Sequence, residues 1–267
     1  MEWDAPAIVL DARPFGEADA VVTVMTEAHG AHRGLVRGGL SRGKAAVWQA
    51  GNLVQARWVG RLAEQLGGVT AELIHATAAL AMDDALALAM LRAACAVAEG
   101  ALPEREAYPR AFSGLLHLLA HLPQGAALLA EQIRWEAALL ADLGYGLDLA
   151  GHAALGGNER LAWVSPRTGR AVTDSGAGEW RARLLVLPAL LLDDTDPGTP
   201  ADWRDGLRLT GHFLARDAFG LRHRPLPQAR DALYDRVAAM AHDSGPAART
   251  AHDSGPVART ADEDRNA

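Results

Sequence analysis

Residues 32–60 read HRGLVRGGLSRGKAAVWQAGNLVQARWVG, and two different folds depend on how they are read. Gly38 through Lys44 keeps the Gly-x-x-x-x-Gly-Lys spacing of a phosphate-binding loop. That loop needs a buried strand before it and a helix starting at the lysine, which would make the domain α/β. The residues argue against it. Arg33 and Arg37 occupy the would-be buried strand, and Ala45 stands where a Ser or Thr would hold Mg²⁺. Gly51-Asn52 stops any helix within about two turns. From Leu53 the side chains alternate instead. Leu53, Gln55, Arg57 and Val59 point one way, Val54, Ala56 and Trp58 the other, which is the period of a strand. The stretch is therefore strand, flexible glycine-rich corner, strand.

Working outward, AIVLDARP (7–14) and DAVVTVMTEAH (19–29) are rich in Val, Ile and Thr, and GGVTAELIH (67–75) has the same character. Five short strands with glycines at the corners predict a small antiparallel barrel. The chemistry changes near Ala76. ATAALAMDDALALAMLRAACAVAEG (76–100) predicts a helix, with Asp83-Asp84 as a cap or a solvated face. Further helices are predicted over 104–122 and 124–146. An irregular hairpin containing RLAWVS follows over about 147–180, and helical character returns at RARLLVLPALLL (181–192). A polar linker (193–200) precedes a helix over 203–220 with Asp202 as its N-cap, and a last helix covers 228–242. The tail repeats AHDSGPAART as AHDSGPVART and is expected to be disordered. The expected organisation is a barrel over 1–77, a helical domain over 78–240, and the repeat tail over 241–267, an α+β chain.

The 267 residues carry a net charge of −7, which alone argues against a nucleic-acid binder. The arrangement of charge argues the other way. No acid lies between Glu27 and Glu64, an interval that holds Arg33, Arg37, Arg42, Lys44, Arg57 and Arg61. Cations on a glycine-rich loop and neighbouring strands make a groove for a polyanion. Trp48 and Trp58 lie in the same interval, where they are either base-stacking platforms or core; for Trp58 the alternation favours core. The single cysteine, Cys95, permits no internal disulfide and is read as an inert buried thiol. His117 and His121 have ligand spacing on a helix but no third ligand nearby, and His29-x-x-His32 has the same shortfall. No catalytic constellation, cofactor site or metal site is expected. The apolar runs are too short to span a bilayer, and a cytoplasmic protein is expected.

Barrel, basic loop, helical domain and hairpin occur in an order that resembles the RecO family of bacterial recombination mediators. The resemblance is carried by AIVLDARPFGEADAVVTVMTEAHGAHRGLVRGGLSRGK (7–44), QAGNLVQARWVGRLAEQLGGVTAEL (49–73), QIRWEAALLADLGYGLDL (132–149) and RLAWVSPRTGRAV (160–172). It implies an OB-fold followed by a helical domain. It also implies binding to single- and double-stranded DNA, and annealing of complementary strands. The implied partners are RecR, the C-terminal tail of the single-stranded DNA-binding protein (SSB), and RecF, with RecA loaded onto SSB-coated DNA and no nucleotide hydrolysis. Relatives often carry a zinc-binding hairpin. Here LDLAGHAALGGNERLAWVSPRTGRAV has no cysteine, and His152 alone cannot supply four ligands. The hairpin is expected to stand without metal on Leu155, Leu161, Trp163 and Val164. Two rival readings remain at this point: an adaptor whose barrel docks a protein partner, and a nucleotide enzyme built on the near-phosphate loop.

Overall fold

A computed structural model of the chain describes residues 1–60, 66–149 and 160–244. Five strands, β1 (Glu2–Phe15), β2 (Asp19–Thr26), β3 (Gly30–Val36), β4 (Leu53–Val59) and β5 (Gly67–His75), close a barrel in the order β1-β2-β3-β5-β4. All neighbours are antiparallel except β3 and β5, which meet in parallel through Gly34–Gly67 and Leu35–Gly68. This is an OB-fold barrel. The alternation predicted for β4 holds, with Val54, Ala56 and Trp58 pointing inward beside Ala7, Val9, Val22, Val24 and Val69. Trp58 is 0% exposed, and its indole N–H donates to the Arg33 carbonyl at 3.0 Å.

A register shift between Val9 and Asp11 bends β1 against β2. On this segment Ile8 and Leu10 leave the barrel interior and, with Met25 of β2, enter the core of the helices. The element covering them is α2 (Ala85–Ala101), which follows the short α1 (Thr77–Ala81). The predicted single helix over 76–100 is thus broken at Met82–Asp84. Asp84 accepts from the amides of Leu86 at 2.7 Å and Ala87 at 3.2 Å, so its carboxylate starts a new helix rather than continuing the old one. Small residues on α2, including Ala87, Ala94 and Ala98, let its neighbours approach closely.

The next helices are α3 (Pro109–His121) and α4 (Leu129–Asp142). A 3₁₀ stretch, Leu122–Leu128, joins them, and Gly125 (φ 62°, ψ −131°) breaks it. Pro109–Asp142 is long and apolar enough to cross a membrane by length and composition, but its two halves bury Leu115, Leu119, Ile133 and Leu139 in the core. The hairpin forms a three-stranded sheet, β7-β6-β8, from β6 (Leu161–Val164), β7 (Ala171–Thr173) and β8 (Leu185–Val186). The short helix α5 (Asp174–Ala177) and a 3₁₀ turn, Gly178–Arg183, connect β7 to β8.

Here the helix expected over 181–192 is corrected: Val186 pairs with Trp163, and Pro188 cannot continue a helix. The helix expected over 203–220 starts and ends earlier, as α6 (Pro200–Phe213). Its N-cap is Thr199, with Pro200 at N1 and Asp202 at N3 completing a capping box. A π-helical turn, Leu214–Phe219, ends the α6 region. The last helix, α7 (Gln228–Asp243), packs on α2 and α6 and buries Leu233, Val237 and Arg230. The repeat tail expected to be disordered over 241–267 begins inside α7, whose last residues are Ala241–Asp243, and residues 245–267, along with Arg61, His152 and Leu155, lie outside the described residues.

Arg230 and Glu136 are a fully buried ion pair tying α7 to α4. Arg230 Nε donates to Glu136 Oε1 at 2.5 Å, and Nη2 donates to Oε2 at 2.8 Å and to the Leu207 carbonyl at 2.8 Å. The Thr210 hydroxyl donates to Glu136 Oε2 at 2.5 Å.

Candidate nucleic-acid interface

The glycine-rich corner is more ordered than expected. Residues 37–51 fold into consecutive turns, with Ser41 N–H donating to Gly38 O at 3.0 Å, Lys44 N–H to Ser41 O at 2.9 Å, and Val47 N–H to Lys44 O at 3.0 Å. Gly38 takes φ +65°, which favours glycine, and its amide donates to Asp19 Oδ1 at 2.8 Å. Asn52 fastens the far end, donating from Nδ2 to Ala46 O at 2.8 Å. Trp48 anchors the loop to the barrel at 5% exposure. No helix starts at Lys44, so the requirement for a phosphate-binding loop of the nucleotide type is unmet.

Beside this loop lies a groove of about 630 Å³, between the end of β3 and the β4–β5 face. Arg37, Lys44 and Arg57 line it, and its floor includes Leu35, Val47 and Val69. Arg37, Arg42 and Lys44 are exposed and have no carboxylate partner among the described residues. Lys44 Nζ donates to the Arg37 carbonyl at 3.1 Å, which holds the two cations at one edge of the groove. Arg42 is exposed on the same loop without lining the groove. Arg57 is paired, its Nε donating to Glu2 Oε1 at 2.6 Å.

Arg33 is set apart from the groove. On β3 it contacts Glu104 at 3.0 Å and Glu99 of α2 at 3.5 Å. Glu99 is mostly buried and also faces Arg13 at 3.7 Å and Arg224 at 3.4 Å. Of the six cations expected to form the interface, three line the groove, one lies on its loop, one is held by carboxylates, and Arg61 lies outside the described residues. Nothing in the local sequence marks Arg33 as different, because its carboxylate partners come from another part of the chain.

Both tryptophans of the basic interval are core: Trp58 is fully buried, and Trp48, although it lines the groove, is only 5% exposed. The barrel groove is therefore an electrostatic and apolar surface without an exposed indole. Trp3, His29, His32 and Trp58 form a ring cluster at the other end of β3, with Trp3 stacked on His29 at 5.3 Å and His32 edge-on to Trp58 at 5.5 Å. His32 Nδ1 is buried without a hydrogen-bond partner. Burial first, and the Arg105 and His29 charges after it, hold its pKa below the usual imidazole range.

Other sequence candidates resolve as structure. Cys95 is buried in α2, and burial pushes its thiol up to about 12. His117 Nε2 meets Glu131 at 2.7 Å, and His121 packs on its ring at 4.1 Å. Among the described residues no three His, Cys, Asp or Glu side chains gather as a metal site. Among the described residues around the hairpin the donor set does not suit zinc. The carboxylates of Asp148 and Asp174 face Arg170 at 3.3 Å and Arg181 at 2.8 Å, and the only cysteine is in α2. Val164 is fully buried, and Trp163 donates to Asp174 Oδ1 at 2.9 Å, so the sheet is held by packing and hydrogen bonds.

Comparison with known proteins matches residues 1–77 to the family profile described as recombination protein O N terminal, and residues 82–226 to recombination protein O C terminal. Similar curated proteins are each called DNA repair protein RecO. That of Gluconacetobacter diazotrophicus is 58% identical over 245 residues, covering 90% of this chain and 96% of the relative. That of Granulibacter bethesdensis is 60% identical over 242 residues, covering 90% and 97%. That of Rhodospirillum centenum is 47% identical over 247 residues, covering 92% and 98%.

Proposed function

This chain belongs to the RecO family of DNA repair and recombination proteins, and from that premise we propose that its barrel grips the phosphate backbone of DNA through Arg37, Arg42 and Lys44. The observation that carries the reading is that these three cations sit together on one turned loop, beside a groove, with no carboxylate partner among the described residues. Phosphate contacts carry no base information, so binding is sequence-independent and serves single and double strands. Annealing then requires no chemical step: cations screen two strands from each other while base edges stay free to pair. Residues 1–77 act on DNA, and residues 78–240, with 16 Lys/Arg against 20 Asp/Glu, serve protein partners. Those partners are RecR, RecF and the SSB tail, in a cytoplasmic process that loads RecA. The groove between α3 and α4, of about 330 Å³ with Leu118 and Trp135 at its base and Arg110 beside them, is suited to the SSB tail.

The test is fluorescence anisotropy of a labelled single-stranded oligonucleotide across a salt series. Replacing Arg37, Arg42 and Lys44 by Ala removes three cations, so the slope of log K against log salt flattens by about 2. An unchanged slope and affinity would move the interface elsewhere. One observation favours the adaptor reading: the groove floor is apolar at Leu35, Val47 and Val69, chemistry that also suits a peptide. That reading predicts no oligonucleotide binding by the wild-type protein.

A further inference from the structure

The hairpin sheet carries what the barrel groove lacks. Of the seven tryptophans, Trp3, Trp48, Trp58, Trp135 and Trp203 are buried and Trp163 is half-buried, whereas Trp180 is 56% exposed. Trp180 lies on the 3₁₀ turn Gly178–Arg183, which buries none of its residues. The Arg183 guanidinium stands 5.3 Å from its ring centroid, and no protein acceptor takes the indole N–H among the described residues. Its neighbour Trp163 shows the contrasting arrangement. There Arg181 lies over the ring at 5.5 Å, and Asp174 binds both the Trp163 N–H and the Arg181 guanidinium, closing the set. Among the described residues Trp180 and Arg183 have no such third member; Glu179 lines the same cleft without bonding to either.

We propose that Trp180 and Arg183 form a second contact for single-stranded DNA, in which a base stacks on the indole and Arg183 pairs with the adjoining phosphate. This rests on the DNA-binding reading above and extends it to a different part of the chain. Three features favour a nucleotide over a protein. A protein hot spot sits in a well-packed pocket ringed by contacts that exclude water, whereas this turn reads GEWRAR and is open along its length. A cation against an exposed π-face is the pairing that single-strand sites combine. The barrel supplies charge without an available ring, so a site with a ring complements it. The contact discriminates strands, because a base must be unpaired to stack on a side chain, whereas the groove cations see only phosphate.

The experiment uses the full chain, titrated with oligo-dT and with a duplex of equal length. In the wild type, oligo-dT quenches tryptophan emission and the duplex does not. Trp180→Ala abolishes the quench and weakens oligo-dT binding by about 5- to 150-fold, the loss of one stacked base. Duplex affinity stays the same, and so does the single-strand salt slope, because stacking releases no counterion. Trp180→Phe, which keeps a ring, recovers part of the affinity. The Arg37, Arg42 and Lys44 triple variant does the opposite: it flattens the slope and keeps the quench at saturating DNA. Trp180→Ala with unchanged oligo-dT affinity overturns the proposal, as does an equal loss on single strand and duplex. Loss of a recombination partner's binding with DNA binding intact would reassign the turn to a protein and likewise overturn it. A wild-type protein that binds no oligonucleotide overturns this proposal and the groove reading together.

Discussion

Replacing Arg230 by Met tests whether α7 belongs to the folded unit. Arg230 is 1% exposed and Glu136 is 0% exposed. The substitution removes both direct bonds to the carboxylate and leaves a buried charge with Thr210 as its remaining donor in the network. Breaking a buried pair from one side costs about 3–5 kcal/mol. In a chain of this size each kcal/mol lowers the melting temperature by roughly 2–4 °C, so the expected fall is roughly 6–20 °C. The double variant Glu136→Leu/Arg230→Met removes both charges and restores stability to within about 1 kcal/mol of wild type, or above it. Thr210 still has the Gly206 carbonyl at 3.1 Å as acceptor. Urea unfolding at neutral pH, extrapolated linearly to water, gives the four corners of the cycle. The reasoning fails if Arg230→Met costs less than about 1 kcal/mol, or if the double variant loses the sum of the two singles.

Two further predictions concern protons. His32 binds its proton more weakly folded than unfolded, so its contribution to stability is complete above the unfolded value of about 6.5. That contribution falls as pH drops from there to the depressed folded value and is constant below it. Urea midpoints measured from pH 7.5 to 5 should show this slope, and His32→Phe should flatten it; a wild-type midpoint independent of pH would refute the reading. Cys95, with its thiol pushed up to about 12, should react with an aromatic disulfide at pH 8 on the order of a thousandfold more slowly than an ordinary thiol, and at the ordinary rate in urea. Fast labelling of the native protein would contradict its burial.

The barrel was legible because each strand advertises its own period. Val54, Ala56 and Trp58 point into a core that their spacing alone implies. The helices were legible as helices, but their ends were set by single contacts: Asp84 restarts α2, and Thr199 rather than Asp202 opens α6. The segment 181–192 misled because leucine runs suit either state, and a pairing with Trp163 decided it. In the site, the loop cations could be read from charge order. The fate of Arg33 and Arg57 could not, because it depends on carboxylates brought in by folding, Glu99 and Glu104 in one case and Glu2 in the other. The same holds for Trp180, whose exposure is a property of the finished sheet.

Ile8, Leu10 and Met25 lie on the outside of the barrel and are covered by helices made later in synthesis. As the chain leaves the ribosome, the barrel strands are complete at His75, but α2 is not complete until Ala101. At synthesis rates of about 5–20 residues per second the nascent barrel carries a bare apolar flank for a second or more. During that interval the same three side chains that later join the two parts of the molecule are a point of capture for chaperones or for other unfinished chains. The join between barrel and helices is thus also a step in the order of assembly, and its timing is set by the short stretch of chain between β5 and the end of α2.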